Sequence, residues 1–264
     1  STVSSGGNAM KVGFLQYDVV HNTEKNFDYI ISTLQKQNCE LLILPELSLC
    51  GYLFNNRNAL LECAETVPAG ASTQRMIILS KEYSCTIVFG LAEKENGKIY
   101  NTAVIVSKGK FIGKYRKIHL TDFEKKLFDR GTENLVFEVA GIKIGVQICF
   151  DLWFPEVSRE QLRMGADILC VLANFGGETT YHISKIRAIE NLTPLILCNR
   201  IGEESIPDID ADFLGKSTIL DASGQRLYIA PEGQNNFGCC EVAISKIRSN
   251  IICNNFDREI ALHY

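Results

Sequence analysis

The chain has 264 residues, with 27 Lys and Arg against 31 Asp and Glu, which gives a net charge of −4 at pH 7. This mild acidity argues against nucleic acid or an anionic membrane as the main partner. Hydrophobic residues make up 46% of the chain and charged residues 22%, a balance typical of a globular domain. A chain of this length can bury a sizeable core, and its composition excludes disorder over most of its length.

No stretch of the sequence approaches the roughly 18 to 20 consecutive apolar residues that span a bilayer, so a soluble protein is expected. The segment Ser1–Ala9 is small and polar and precedes the first periodic apolar pattern. It is interpreted as a remnant of expression cloning, since nothing in it resembles a signal peptide. Residues 10–264 show no internal repeat and no Pro/Gly/Ser-rich linker, which predicts a single domain.

Ten cysteines are spread along the chain, most of them in apolar runs where a thiol behaves as a small hydrophobe. None forms a Cys-x-x-Cys pair, and no Cys and His residues stand at metal-ligand spacing, which argues against a zinc site and a thioredoxin-like redox motif. A chain long enough to fold without disulfides, and with no secretory signal, favours free thiols in a reducing, cytoplasmic compartment.

The N-terminal part of the sequence alternates between strand and helix patterns. Met10–Val19 is predicted as a strand, and Asn22–Gln37 as a helix because apolar residues recur at helical spacing behind a polar start. Leu41–Leu44 is predicted as a short, fully apolar strand, and Pro45-Glu46 follows it directly. A carboxylate therefore stands at the end of a buried strand, where open α/β sheets usually place their sites.

The middle of the chain is rich in strands joined by tight turns. A helix is predicted at Ser72–Tyr83, and strands follow at Thr86–Ala92, Ile99–Ser107, Lys110–Tyr115, Leu135–Val139 and Ile142–Ile148. Cys149 comes directly after the last of these. The later elements are Pro155–Met164 (helix), Asp167–Ala173 (strand), Tyr181–Asn191 (helix), Pro194–Asn199 (strand) and two strands flanking a turn at 222–225. Strands mixed with helices throughout predict an α/β fold whose sheets are covered by helices.

Three reactive side chains each follow an apolar strand: the carboxylate of Glu46, the ammonium of Lys117 and the thiol of Cys149. If these strand ends converge, the glutamate can take the thiol proton, the cation can favour a developing oxyanion, and the sulfur can attack a carbonyl or nitrile carbon. Each residue also has an ordinary explanation. Glu46 could be an exposed loop carboxylate and Cys149 a buried structural thiol. Lys117 could belong to a solvated charge cluster with Lys114 and Arg116.

Together, the segments around these residues resemble the carbon–nitrogen hydrolase, or nitrilase, superfamily, in the family's order Glu, Lys, Cys. The matching segments are Leu44-Pro45-Glu46 with Gly51-Tyr52, Tyr115-Arg116-Lys117-Ile118-His119-Leu120, Cys149-Phe150-Asp151-Leu152-Trp153-Phe154-Pro155-Glu156 with Arg159, 165–167, 173–175, 187–191, 199–202, and Asp257-Arg258 with Tyr264. The resemblance covers residues 10–264. It implies an α/β fold of the nitrilase type, a four-layer αββα sandwich, and a homodimer or a higher even-numbered homo-oligomer.

Carried over residue by residue, the resemblance makes Cys149 the nucleophile, Glu46 the general base and Lys117 the cation that stabilises the tetrahedral intermediate. A second family glutamate is matched by Glu124, which is expected to orient Lys117 or the substrate. The alternative for Glu124 is an ordinary charge on a helix surface. The backbone N–H of Phe150 is expected to complete the oxyanion site, because a turn directly after a strand-end nucleophile aims that amide at the reacting carbon.

Other residues are expected to line the pocket or to support it. Four side chains are expected near the substrate, namely Tyr52, Trp153, Phe175 and Glu178. Asp151 and Arg159 are interpreted as supports of the nucleophile turn, and His119 as a structural histidine. The chain departs from many relatives at Phe175, where Trp is frequent, and at 129–131, after the lysine motif.

The implied reaction is hydrolysis of a non-peptide C–N bond in a small linear amide or N-carbamoyl amine, through a cysteine thioester and with release of ammonia. The expected partners are thus a small-molecule amide and water, and this reaction needs neither a metal nor an organic cofactor. Nitrile hydrolysis is less favoured, since true nitrilases usually read Cys-Trp-Glu where this chain has Cys149-Phe150-Asp151. Two alternatives belong to other classes: a non-catalytic scaffold or binding protein, and a thiol redox sensor using Cys149 or the vicinal Cys239-Cys240.

Overall fold

The structure, a computed structural model, describes residues 8–262. Most of the predicted cloning remnant, residues 1–7, lies outside the described residues, and so does Tyr264. Asn8 and Ala9 begin the first strand, two residues earlier than the apolar pattern predicts. Within the described residues, no helix is long and apolar enough to cross a membrane.

Two six-stranded sheets form the centre of the molecule. The first contains Asn8–Gln16 (β1), Leu41–Ile43 (β2), Thr86–Glu95 (β3), Lys98–Ser107 (β4), Lys110–Arg116 (β5) and Asn236–Ile244 (β14). The second contains Val136–Val139 (β6), Ile142–Ile148 (β7), Ile168–Leu172 (β8), Leu195–Cys198 (β9), Thr218–Leu220 (β12) and Arg226–Ile229 (β13). Ile201–Ile206 (β10) and Ile209–Leu214 (β11) form a separate hairpin.

The central strands of each sheet run parallel, so their carboxyl ends lie at the same edge of that sheet. The order is β14-β1-β2-β3-β4-β5 in the first sheet and β13-β12-β9-β8-β7-β6 in the second. Strands β1, β2 and β3 run parallel, as do β7, β8 and β9. Because parallel strands present their carboxyl ends at one edge of a sheet, the loops after β2 and β7 both lie where such folds build sites. Glu46 is in the first of these loops and Cys149 begins the second.

Helices cover the outer faces of both sheets. The α-helices in the described part are Thr23–Leu34 (α1), Arg57–Cys63 (α2), Ala71–Glu82 (α3), Pro155–Arg163 (α4), Thr179–Asn191 (α5) and Phe256–Ile260 (α6). Helices α1 and α3 pack on the first sheet, and α4 and α5 pack on the second. The layers are therefore helix, sheet, sheet, helix.

Alternation along the strands builds the three apolar interfaces between these layers, because successive side chains of a strand point to opposite faces. Ile43 and Val88 of the first sheet face Ile144 of the second in the central core. Leu42, one residue before Ile43, faces the helices instead and contributes to the core that includes Phe27 of α1. Burial on both faces explains the continuous apolar runs in the sequence. The four-layer αββα sandwich predicted from the resemblance is confirmed.

Some elements were not predicted from the sequence. The missed elements are α2, β10, β11, β14 and α6. The hairpin strands β10 and β11 carry acidic residues such as Glu204 and Asp210 and are half exposed, so their apolar alternation is weak. The first helix is shorter than the predicted Asn22–Gln37. It begins at Thr23, where the Asn22 side chain caps the backbone N–H of Lys25, and ends at Leu34.

Candidate active site

The loop that carries Glu46 is held against β3. Leu44 and Ser48 donate backbone hydrogen bonds to the carbonyls of Val88 and Gly90, at 2.8 and 3.0 Å. A Cβ at position 90 would lie 2.5 Å from the Leu47 nitrogen and 2.7 Å from the Pro45 oxygen, so only glycine lets the loop pass this close. The loop therefore turns inward, and the Glu46 side chain is fully buried rather than exposed.

Lys117 follows β5 and reaches the same buried position. Its Nζ lies 2.8 Å from Oε1 of Glu46 and 2.5 Å from Oε1 of Glu124. Burial alone would lower the pKa of Lys117, but the negative charges of Glu124 and Glu46 outweigh it and raise the pKa well above its usual value. The ammonium therefore stays charged between the two carboxylates, because nearby opposite charges favour the charged form.

Glu124 begins a short 3-10 helix, Glu124–Lys126, and is buried. Its Oε2 accepts hydrogen bonds from the hydroxyls of Tyr52, at 2.9 Å, and Thr121, at 2.6 Å. Its other oxygen receives Lys117. The structure therefore places Glu124 against Lys117 and not on an exposed helix face. The hydrogen bonds from Tyr52 and Thr121 hold the Glu124 carboxylate, which in turn fixes the direction of the Lys117 ammonium.

Asn101 of β4 is a member of the cluster that sequence reasoning missed. Its Nδ2 donates to Oε1 of Glu46 at 2.7 Å, and its backbone oxygen accepts from the N–H of Lys117 at 2.8 Å. Oε1 of Glu46 thus accepts two hydrogen bonds, whereas Oε2 is buried and has no hydrogen-bond partner among the described residues. An Asn within an otherwise apolar strand is the signal that could have found this residue, because buried amides are normally paired.

The environment of Glu46 changes its acidity. Burial, the largest cause, raises its pKa, and the charge of Glu124 adds to the rise; Lys117 and Asn101 act in the opposite direction. The resulting pKa is about 7. A carboxylate with this pKa can both accept and return a proton near neutral pH, as a general acid–base residue must.

Cys149 lies at the end of β7 as the first residue of the 3-10 helix Cys149–Trp153. Its φ is 46°, a left-handed conformation that is strained for a residue with a side chain and that recurs at functional sites. The residue is partly exposed, and its Sγ lies 3.8 Å from the carbonyl oxygen of Asn174. Burial first, and then the charge of Glu46, raises the pKa of the Cys149 thiol, with Lys117 acting against the rise. The thiol therefore keeps its proton at neutral pH and needs a base.

The backbone N–H of Phe150 lies in the first turn of the 3-10 helix that Cys149 begins. Phe150 is the second residue of the 3-10 helix, and amides in the first turn of a helix have no carbonyl within the helix to bind. An N–H in this position can donate to an oxyanion, and the assignment of Phe150 to the oxyanion site stays a prediction.

Asp151 connects the nucleophile turn to the segment that carries Lys117. Its Oδ2 accepts from the Ile148 N–H at 3.0 Å and from the Tyr115 hydroxyl at 2.5 Å. Its Oδ1 accepts from the backbone N–H of His119 at 2.9 Å and lies 3.0 Å from Nδ1 of that ring. The His119 ring also stacks on Phe154. These contacts agree with supporting roles for Asp151 and His119.

The prediction that Arg159 supports the nucleophile turn was wrong. Its guanidinium donates to the carbonyl of Glu190 at 2.7 Å and so joins α4 to α5. Arg187 of α5 holds the turn instead, donating to the carbonyls of Leu152 at 2.8 Å and Trp153 at 3.0 Å.

The residues expected near the substrate lie in different settings. Tyr52 donates to Glu124, and burial followed by the Glu124 charge raises its pKa well above the usual value. The Trp153 side chain is 42% exposed, with its ring beside that of Phe150.

Phe175 is buried, and its backbone is fixed by Asn199. Glu178 is exposed and pairs with Lys216 at 2.5 Å. Tyr52 alone of the four contacts the buried carboxylate cluster.

The loop that carries Tyr52 is held by a buried charge missed at the sequence level. Glu204 of β10 accepts from the backbone N–H groups of Tyr52 at 3.0 Å and Leu53 at 3.1 Å. The fully buried Arg200 pairs with Glu204 and lies over the Phe213 ring. This ion pair therefore fixes the backbone from which Tyr52 reaches Glu124.

Among residues 8–262, no group of three or more His, Cys, Asp or Glu side chains is placed to hold a metal ion. The cluster itself is a buried ammonium between two carboxylates, next to a thiol on a strained turn. In a four-layer sandwich, such a set defines a candidate site for acyl transfer to sulfur.

The sequence model of the carbon–nitrogen hydrolase family matches residues 9–251. A protein of Pyrococcus abyssi named nitrilase is 35% identical over 248 residues, which are 92% of this chain and 93% of that protein. The 2-oxoglutaramate amidase of Bacillus subtilis is 31% identical, covering 82% of this chain and 84% of its own. The N-carbamoylputrescine amidase of Solanum lycopersicum is 28% identical, covering 90% and 87%.

Solved structures agree with the fold. The crystal structure of a carbon–nitrogen hydrolase from Helicobacter pylori superposes with a TM-score of 0.79 over 89% of each chain, at 24% sequence identity. The chain therefore belongs to the carbon–nitrogen hydrolase family, within the nitrilase superfamily. It is a hydrolase that acts on non-peptide C–N bonds.

Proposed function

We propose that the protein hydrolyses a small linear molecule that carries a primary carboxamide or an N-carbamoyl group, releasing ammonia through a thioester on Cys149. The observation that carries this proposal is the state of Oε2 of Glu46, which is buried and has no hydrogen-bond partner among residues 8–262. The thiol of Cys149, which keeps its proton, is close enough for the charge of Glu46 to raise its pKa. Oε1 of Glu46 already accepts two hydrogen bonds, so Oε2 is the atom that can take the proton of the thiol. A thiol that keeps its proton requires such a base at the moment of attack.

In the first stage, the Cys149 sulfur attacks the carbonyl carbon while its proton passes to Oε2 of Glu46. The carbonyl oxygen becomes an oxyanion, which Lys117 and the N–H of Phe150 stabilise. The C–N bond then breaks as Glu46 returns the proton to the leaving nitrogen, and ammonia departs. Glu124 and Tyr52 take no part in these bonds. Their contacts keep the ammonium of Lys117 aimed at the site.

In the second stage, water attacks the thioester carbon and gives a proton to Glu46. The C–S bond breaks, the sulfur recovers the proton, and the acid is released. The raised pKa of Glu46 suits this alternation, because the same carboxyl must be a base in one step and an acid in the next. The charged Lys117 serves both oxyanions without exchanging a proton.

A nitrile is the second candidate substrate, since the Pyrococcus abyssi relative is named nitrilase. The same thiol can add to a nitrile carbon, and ammonia is again released after hydrolysis. The amide is favoured by the sequence Cys149-Phe150-Asp151, and by the names of the relatives from Bacillus subtilis and Solanum lycopersicum.

The test is ammonia release from ω-amides, N-carbamoyl amines and short nitriles, with wild type and Cys149→Ala side by side. We expect ammonia from at least one amide or carbamoyl compound with wild type only. Release only from nitriles would replace the favoured substrate class by the second. No release from any compound would favour the non-catalytic scaffold, and equal release from both proteins would remove Cys149 from the mechanism.

Asn101→Leu is expected to raise the pKa of Glu46, because it removes a hydrogen bond to the ionised carboxylate. A hydrogen bond to a charged group contributes about 1.5 to 3 kcal/mol, so the acid limb of kcat/KM should move up by about one to two pH units. The measurement is the pH profile of kcat/KM. Thr102→Val, on the other face of β4, removes a buried hydrogen bond to Glu93 and is the control. An unmoved limb in Asn101→Leu would show that Asn101 does not act on the base.

The cytoplasmic location and the homodimer stay predictions. Ile186 and Ile189 on α5 are 51% and 40% exposed, and such apolar side chains on one helix are compatible with a second copy packing there.

A further inference from the structure

Two cysteines far from the candidate active site lie in contact. Cys39 stands in the connection between α1 and β2, and Cys239 lies in β14, 200 residues further along the chain. Their sulfur atoms are 3.1 Å apart. The proposed reaction does not use these thiols, because it takes place at the opposite end of β2.

The local backbone makes room for this contact. Cys239 pairs with Gly13 of β1 in the sheet register. A Cβ at position 13 would lie 2.7 Å from the Cys39 sulfur, so the glycine leaves the space that this thiol occupies. The neighbouring Cys240 points to the opposite face of the strand and packs against the core between the sheets. A vicinal Cys239–Cys240 link would therefore require β14 to distort, whereas the Cys39–Cys239 pair faces across one side of the sheet.

The two thiols differ in their access to solvent. Cys39 is 2% exposed, and burial followed by the neighbouring Cys239 raises its pKa. Cys39 donates its S–H to the sulfur of Cys239, which is partly exposed. Because Cys239 is the more exposed of the two, a reagent from solvent reaches it first. The buried Cys39 then reacts with the oxidised Cys239.

We propose that Cys39 and Cys239 are an oxidation site that forms a disulfide when the protein meets a peroxide. The thiolate of Cys239 attacks the peroxide, gains one oxygen as a sulfenic acid and releases water or an alcohol. Cys39 then attacks that sulfur, the S–O bond breaks, and the oxygen leaves as water. The two thiols lose two electrons and two protons in total, and the peroxide O–O bond takes up the electrons.

This link would join the edge strand β14 to the segment before β2. It closes a loop of about 200 residues, and a cross-link over a long loop stabilises mainly by restricting the unfolded chain. Glu46 lies beyond the other end of β2, so the link is expected to raise the melting temperature without changing the geometry of the candidate active site.

The test treats the folded full-length protein with hydrogen peroxide, alkylates the remaining thiols and digests without reduction. We expect a cross-linked pair of peptides containing Cys39 and Cys239, lighter than the two thiol peptides by two hydrogen atoms. We also expect a rise in melting temperature that a reductant reverses. Cys239→Ser should lose both effects, and Cys240→Ser, its neighbour on the other face, should keep both.

Three outcomes would overturn the proposal: a Cys239–Cys240 link, a link from Cys39 to Cys85, or Cys239 oxidised to sulfinic acid while Cys39 is still alkylated. The mapping on wild type decides between them even if a variant fails to fold. None of these outcomes depends on hydrolysis, so the proposed function and this inference fail or stand separately.

Discussion

Cys149→Ala is expected to lower the rate of ammonia release by roughly 10⁴- to 10⁶-fold, the range found when a covalent nucleophile is removed from a hydrolase. The physical reason is that alanine has no sulfur with which to form the thioester. Alanine keeps the Cβ and the same left-handed backbone at position 149, so the turn and its hydrogen bonds to Asp151 should remain. The measurement is kcat on the best substrate of the panel, with circular dichroism and thermal unfolding to check the fold.

Cys253→Ala is the matched control, because Cys253 is a partly exposed thiol in the C-terminal segment. It should retain wild-type activity. Mass spectrometry of wild type stopped during turnover should show an acyl group on the peptide that contains Cys149. An acyl group on any other cysteine, or activity in Cys149→Ala within tenfold of wild type, would contradict the assignment of the nucleophile.

Glu46→Gln is expected to slow formation of the thioester by roughly 10²- to 10⁴-fold, the usual contribution of a positioned general base. Gln has nearly the same shape as Glu, and its amide oxygen can still accept from Lys117 and Asn101, so the cluster should persist. The lost function is the proton-accepting oxygen. The measurement is the single-turnover rate of acylation, followed by release of the first ammonia.

The pH dependence gives a second readout of the same residue. The folded protein holds the pKa of Glu46 at about 7, above its usual value, and the ionised form is the base. Activity of wild type should therefore rise with pH through about 7, and this limb should disappear in Glu46→Gln. Glu24→Gln, at an exposed pair with Arg75, is the control and should change neither rate nor profile. Retention of the limb in Glu46→Gln would assign the base to another group.

Much of the fold was accessible from the sequence because its signals are local. Apolar runs and helical periodicity identified the central strands and the larger helices, most of them to within two or three residues. The hairpin of β10 and β11 escaped because acidic side chains interrupt its alternation. Strand β14 escaped because a half-exposed edge strand with a glycine as its third residue carries little pattern.

The candidate site divides in the same way. Residue type and position after a strand, together with the family resemblance, were enough to select Glu46, Lys117 and Cys149. They could not show that Asn101 occupies one oxygen of Glu46, because that contact joins residues 55 positions apart. For the same reason, the support of the nucleophile turn was assigned to Arg159, which is near in sequence, and is provided by Arg187, which is near in space.

The sequence by itself determined the class of fold, the family and the chemical types of the candidate catalytic groups, since these depend on periodicity and on motifs contained in single segments. Only the tertiary structure decided which oxygen of Glu46 is free, why its pKa is raised, and that Cys39 lies against Cys239. Burial and hydrogen bonding between distant segments set these properties, and they exist only once the two sheets have packed together.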